Sequence, residues 1–263
     1  MKRGKGILKD YQNKSLEKAL SILECFSREN RELSATEIAK MLGLNLSSIY
    51  PLLATLSRFD YITRKENGKY SLGISLVVKG NLVISSLNLI EVARGPLQDL
   101  AHEYQGNTHL AILNNYKALI VDRALASDRV FINSIIGYEI PLYCTSLGRA
   151  LLSQMTDEEI INYLSNEELR KFTPSTLTDP EKLLQEAKHA RLRGYVVLDE
   201  EFTPGEVCFA APVFDSQGKA IASVNLALSK LRKLQEYERY GLRIRQTAMQ
   251  ISSYLGYTGP ATG

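Results

Sequence analysis

The sequence predicts an α+β fold in two parts, a winged helix-turn-helix followed by a larger mixed α/β domain. Three observations lead there. The first 80 residues carry 14 Lys and Arg against 8 Asp and Glu, whereas the remainder carries 18 against 21. Within that basic third, three short amphipathic helical segments run into a basic-tipped hairpin. Beyond about residue 105, strand-like runs alternate with helical periods. A chain of 263 residues is long for one compact domain and comfortable for two.

The first 14 residues form a basic arm without the apolar core or small-residue cleavage site of a secretory signal. In "SLEKALSILECFSREN", Leu16, Ala19, Leu20, Leu23 and Phe26 share one helical face, and Ser15 is the expected N-cap. In "SATEIAKMLGL", Ser34 and Glu37 have the spacing of a capping box; Ile38, Met41 and Leu42 follow at core spacing and Gly43 ends the helix. The third helix, within "GLNLSSIYPLLATL", turns Ile49, Leu52, Leu53 and Leu56 inward and leaves Ser47, Ser48, Tyr50, Pro51, Ala54 and Arg58 outside. Ser47 is its expected N-cap, making Pro51 the fourth helical residue, where only one hydrogen bond is lost. A start at Asn45 would set the proline deeper and kink the helix.

Then the period changes. Asn67–Gly68 reads as a type I′ hairpin turn between strands at Tyr61–Lys65 and Lys69–Leu72. Helices and hairpin in this order describe a winged helix-turn-helix over residues 1–75, whose third helix suits a DNA major groove. The expected DNA contacts are Thr36, Asn45, Ser47, Ser48, Tyr50, Pro51 and Arg58, with Arg64, Lys65 and Lys69 of the wing against phosphates. Winged helices also serve as protein-interaction modules, so the pattern alone leaves both roles open.

Ile74 to Gln105 reads as helical with a break or restart at Pro96, giving a linker helix over 76–95 and a second domain over 96–263. "THLAILNNYKALIVDRAL" makes two strands around Asn114–Asn115. Thr156 and Glu159 form a second capping box, and Asp179, Pro180 and Gly194 are the N-cap, first residue and stop of another helix. "YVVLDEE" and "VCFAAPVFDSQGKAIASVNLAL" complete a mixed sheet, and a final helix runs from Leu231 to Leu255 with basic residues outside.

Several chemistries are excluded. The most apolar stretch, Gly80 to Ile90, is too short for a bilayer, so no membrane partner is expected. Cys25, Cys144 and Cys208 are few and far apart, which argues against a disulfide framework or zinc site and fits a reducing cytoplasm. No nucleophile motif, Gly-rich phosphate loop or metal-ligand cluster is present; neither a cofactor nor an enzymatic activity is expected. His102 and His189 read as solvated, whereas His109 opens a strand and is a pocket candidate. The run Asp199–Glu200–Glu201 reads as structural ion pairs rather than catalytic carboxylates.

From about Ser15 to Gly256 the chain resembles IclR-family transcriptional regulators. The winged-helix stretch carries the resemblance together with "IPLYCTSLGRALLS", "LTDPEKLLQEAKHARLRGY", "DEEFTPGEVCFAAPVFD" and "ISSYLG". It implies a dimeric or tetrameric, usually repressing protein that binds operator DNA. It also implies a GAF-like C-terminal domain sensing a small molecule, often a carboxylic or aromatic acid. Carried over by position, Tyr143 and the loop Cys144, Thr145, Ser146, Leu147 and Gly148 would meet the effector's carboxylate through backbone N–H groups. Cys208 would form a small wall. Leu198 stands where many relatives place an acid, and its neighbour Asp199 faces the other way along a strand. Asn225 and Ala227 replace hydroxyl positions, so a larger or more hydrophobic effector such as an aromatic acid is expected. Pro51 occupies a position where relatives commonly carry an arginine. The alternative is a metabolite-binding protein or enzyme that retains a non-functional winged helix.

Overall fold

A computed structural model describes residues 13–27, 29–86, 88–125, 135–230 and 236–259. The expected arm up to residue 12, and the start of the expected final helix at 231–235, lie outside the described residues. The chain divides into two compact units, residues 1–86 and 87–263.

The first unit holds α1 (Lys14–Glu24), α2 (Ala35–Leu42), α3 (Leu46–Arg58), the hairpin β1 (Ile62–Arg64) and β2 (Tyr70–Leu72), and α4 (Ile74–Ser86). Asn13, not Ser15, caps α1, its Oδ1 accepting the N–H groups of Ser15 and Leu16. The inward face of α1 is also rotated from expectation: Ile22 and Cys25 are buried while Leu16 and Leu20 are exposed. Apolar residues cover so much of this helix that spacing alone does not choose the face; packing on α3 does. The α2 capping box forms in both directions, and Gly43 takes the left-handed conformation (φ 64°) that ends the helix. Met41, expected inside, is exposed, and Ala39 is buried beside Ile38 instead. Ile22, Leu33, Ile38, Ile49, Leu53, Ile62 and Tyr70 form this unit's core.

The wing is shorter than expected and its turn differs. Only Gly68 has positive φ, and its N–H donates to the Lys65 carbonyl, so the loop has three residues rather than a two-residue type I′ turn. A backbone bridge between Leu33 and Tyr70 ties the segment before α2 to the wing.

The second unit contains α5 (Asn88–Tyr104), β3 (Asn107–Asn114), β4 (Lys117–Leu125), β5 (Glu139–Pro141), α6 (Ser146–Leu152), α7 (Asp157–Asn166), α8 (Pro180–Arg193), β6 (Val196–Asp199), β7 (Glu206–Phe214), β8 (Ala220–Ser229) and α9 (Tyr237–Tyr254). Pro96 lies inside α5 and marks no break there. The second capping box and the Asp179–Pro180–Gly194 boundaries form as the sequence predicts. The β3–β4 turn falls one residue later than expected, on Asn115 and Tyr116, both with positive φ. Six strands pair in the order β5-β4-β3-β8-β7-β6. Every pairing is antiparallel, which corrects the expected mixed sheet. Among the described residues no helix is long and apolar enough to cross a membrane.

Both sheet faces are covered. Val207, Phe209, Ala211 and Val213 of β7 and Ala222, Val224, Leu226 and Leu228 of β8 pack on α5 and α9. The alternate residues face α6 and α8, where Ala210 meets Ala150, Ala190, Val196 and Leu198. That second face positions the cavity described below.

The α2 capping box is the best-formed local device in the first unit. Ser34→Ala should lower that unit's stability by about 1 kcal/mol, read as an earlier transition in urea unfolding followed by circular dichroism.

Candidate functional site

In the first unit, the outer face of α3 presents Ser47, Ser48, Tyr50, Pro51, Ala54 and Arg58, all exposed. Asn45 rather than Ser47 is the N-cap, and no side-chain cap bond forms. Pro51 is therefore the sixth helical residue, yet the helix runs unbroken from Leu46 to Arg58. Its ring withholds the N–H that the Ser47 carbonyl would accept. One turn on, the Thr55 hydroxyl donates to the Pro51 carbonyl at 2.9 Å. Thr36 is exposed at the start of α2, and Arg64 and Lys65 are exposed on the wing. Lys69 is half-exposed and lies 3.9 Å from Glu37, a surface pair that holds it only weakly. The exposed face thus carries the Ser47, Ser48 and Tyr50 hydroxyls and the Asn45 amide, and Arg58, Arg64 and Lys65 are the exposed cations of α3 and the wing.

The second unit holds a partly open cavity of about 60 Å³ between the start of α6 and the sheet, lined by His109, Ile120, Ile140, Cys144, Thr145, Ser146, Leu147, Leu198, Glu201, Phe202, Thr203, Glu206, Cys208, Asn225 and Ala227. Strand register brings the sheet residues together. Leu198, Cys208 and Ala227 stand side by side across β6, β7 and β8, and His109 pairs with Asn225 across β3 and β8. Thr145 caps α6, accepting the Gly148 N–H at 3.1 Å and donating to the Pro141 carbonyl at 2.6 Å. The N–H groups of Ser146 and Leu147, in the first turn, have no acceptor within the helix. A Cβ on Gly148 would lie 2.4 Å from the Pro141 carbonyl oxygen, so only glycine lets α6 approach this closely.

Three expected positions do not line the cavity. The Tyr143 hydroxyl points away and donates to the Arg170 carbonyl at 2.8 Å. Gly148 packs against the 141–142 backbone. Asp199 pairs with Lys230 at 3.3 Å, as the alternation from Leu198 requires. Sequence reasoning missed Ile120, Ile140, Glu201, Phe202, Thr203 and Glu206. Glu206 was legible in principle, since it sits two residues from Cys208 on a strand and so shares its face.

The acidic run at 199–201 is structural. Asp199 and Glu200 pair with Lys230, and Glu201 receives a bidentate guanidinium from Arg149 at 2.8 and 2.7 Å. Arg149 also donates to the Tyr143 carbonyl, and Glu201 accepts the Leu177 N–H at 3.1 Å. One buried arginine therefore ties α6 to two of the cavity's neighbouring loops.

Electrostatics keep the cavity nearly neutral. Burial pushes the His109 imidazole down to about 4, against the opposing bond to Asn225. Burial raises the Glu206 carboxyl to about 7, and bonds from Thr203 and Cys208 pull the other way. Burial likewise lifts the Cys144 thiol to about 12 and the Cys208 thiol well above its ordinary value, so neither is an activated nucleophile. Among the described residues no cluster of His, Cys, Asp and Glu could hold a metal ion.

Residues 15–66 match the IclR helix-turn-helix domain, and residues 81–253 match the bacterial transcriptional regulator IclR C-terminal domain. The HTH-type transcriptional regulator XynR of Escherichia coli K12 is 32% identical, covering 92% of this chain and 97% of its own. The HTH-type transcriptional repressor AllR of Salmonella typhimurium is 30% identical, covering 94% and 91%. An IclR homologue of Microbacterium hydrocarbonoxydans, solved with 4-hydroxybenzoate, shares the fold with a TM-score of 0.83 at 23% identity, covering 92% and 98%.

The two titrating cavity groups act oppositely on stability. Between pH 4 and 6.5 the unfolded chain binds the His109 proton and the folded chain does not, so stability is lost on acidification. Between pH 4.5 and 7 the folded chain keeps the Glu206 proton and the unfolded chain loses it, so stability is lost as pH rises. Glu206→Gln removes the second slope. Relative to the parent protein, the variant should gain up to about 3 kcal/mol between pH 4.5 and 7, measured from urea midpoints across that range.

Proposed function

The chain belongs to the IclR family of bacterial transcriptional regulators, DNA-binding proteins rather than enzymes, and on that footing we propose that it is a cytoplasmic, homo-oligomeric repressor released from its operator by a small organic acid. The observation that carries the effector half is the cavity at the start of α6, where the first-turn N–H groups have no acceptor within the helix. The relative named as a repressor supports the sign of regulation. Self-association is supported by α4, whose exposed Ile74, Val77, Val78 and Leu82 recur at the spacing of one helical face. A dimer would set two α3 helices about one DNA turn apart on a pseudo-palindrome.

The cavity's size narrows the effector. At about 60 Å³ it exceeds the space one water needs and falls short of the ~150 Å³ that admits a benzene ring. This favours a short-chain acid over the aromatic acid that the sequence led us to expect. The aromatic reading keeps one support, the homologue solved with 4-hydroxybenzoate. It requires the cavity to widen, and calorimetry with short-chain and aromatic acids side by side separates the two.

DNA binding is tested by fluorescence anisotropy with the protein's own upstream region. Arg64→Ala with Lys65→Ala should weaken binding and make the salt slope shallower by about 2. Indifference to that DNA at low salt, in the parent and the double variant alike, would favour the metabolite-binding alternative. An effector at 100 times its Kd should both release the DNA and stabilise the protein by about 2.7 kcal/mol.

A further inference from the structure

His109 lines the cavity, and one of its ring nitrogens is buried without a partner. His109 Nε2 is buried and accepts or donates no hydrogen bond, although His109 itself is 5% exposed. Its chemical state follows from its neighbours. The His109 backbone N–H donates to Asn225 Oδ1 at 2.9 Å, which fixes which end of the amide faces the histidine. The same Oδ1 lies 2.8 Å from Nδ1, and an amide oxygen only accepts, so Nδ1 carries the proton. In the neutral ring Nε2 is then an unprotonated acceptor. The other end of Asn225 donates to the Ser146 hydroxyl at 3.3 Å, at the start of α6. A single asparagine side chain therefore spans the carboxylate seat on α6 and the free acceptor on His109.

We propose that the effector is a hydroxy acid, whose carboxylate sits on the α6 backbone while a hydroxyl donates to His109 Nε2. This rests on the effector reading above and deepens it. A 2-oxo acid would turn a second acceptor against the Nε2 lone pair, and a deoxy acid would leave it unpaired, a loss that buried polar groups make expensive. Specificity thus comes from a hydrogen-bond acceptor held in one tautomer, in a cavity whose wall also includes Leu198, Thr203, Glu206, Cys208 and Ala227.

The test is calorimetry on the full-length protein with matched acids: lactate, pyruvate and propionate; 2-, 3- and 4-hydroxybutanoate, 2-oxobutanoate and butanoate; glycerate; 4-hydroxybenzoate and benzoate. At least one hydroxy acid should bind about tenfold or more tightly than its oxo and deoxy counterparts. His109→Phe should erase that preference while a deoxy acid still binds. Asn225→Asp provides a second route, because its charge draws a proton onto Nε2 and turns it into a donor. The hydroxy-to-oxo ratio should then fall towards one even though all acids bind more weakly. Acids that bind without hydroxyl preference, or a preference that survives both variants, overturn this inference alone. Binding by none of the acids overturns the effector reading with it.

Discussion

Arg149 is the charge around which the second unit is organised. It is 2% exposed, sits in the middle of a helix otherwise made of small and apolar side chains, and spends its guanidinium on Glu201 and the Tyr143 carbonyl. An unpaired charge in that position would cost several kcal/mol, so the loop carrying Glu201 has to come to it. Glu201 in turn takes the Leu177 N–H, and the Thr173 and Thr176 hydroxyls donate to the backbone at 200 and 201. Buried ion pairs add little net stability but tolerate few alternative geometries. This one joins α6 to the segment carrying Glu201, Phe202 and Thr203, which line the cavity.

The cavity is polar only where the sheet allows it to be. Each of β3, β7 and β8 is buried on both faces, and the face towards α5 and α9 is filled by branched and aromatic side chains. On the opposite face the register places His109 beside Asn225 and Cys208 beside Ala227, small or hydrogen-bonded groups that do not fill the space under α6. Gly148 allows α6 to close on the 141–142 backbone, so the space left over is small. Burial then does the rest of the chemistry, keeping the imidazole and the thiols neutral and holding a proton on Glu206 up to about pH 7.

The first unit is built on other terms. Its core is small, and local devices such as the two-way capping box and left-handed Gly43 hold α2 where α3 can pack on it. The cost of Pro51 falls on α3, which lacks both a side-chain cap and one ladder hydrogen bond. Burial of Ile49 and Leu53 on either side of the proline keeps the helix in place despite that loss. The outer face carries Ser47, Ser48, Tyr50, Pro51 and Ala54 with Arg58 as its long cation, and Arg64 and Lys65 are exposed on the wing.

Local chemistry was legible in the sequence wherever it acts over a few residues. Ser34 with Glu37, Thr156 with Glu159, Asp179 with Pro180, and Gly43 and Gly194 all do what their spacing predicts, because caps and stops satisfy backbone groups within one turn. The family motifs likewise pointed to Cys144, Thr145, Ser146, Leu147, Leu198, Cys208, Asn225 and Ala227, and the strand pattern to His109, all of which line one cavity. Features that depend on distant partners were not legible. Asn13 and Asn45 took the caps assigned to Ser15 and Ser47, and α1 turned a different face inward, because helix packing chose among several adequate local solutions. The mate of Arg149 is 52 residues away, and the tautomer of His109 is set by an asparagine 116 residues away. The sequence by itself determined the elements, their order and the ends marked by capping boxes and stop glycines; only the tertiary structure decided the remaining ends and which buried polar atoms find partners, since that depends on groups that meet only when the chain closes.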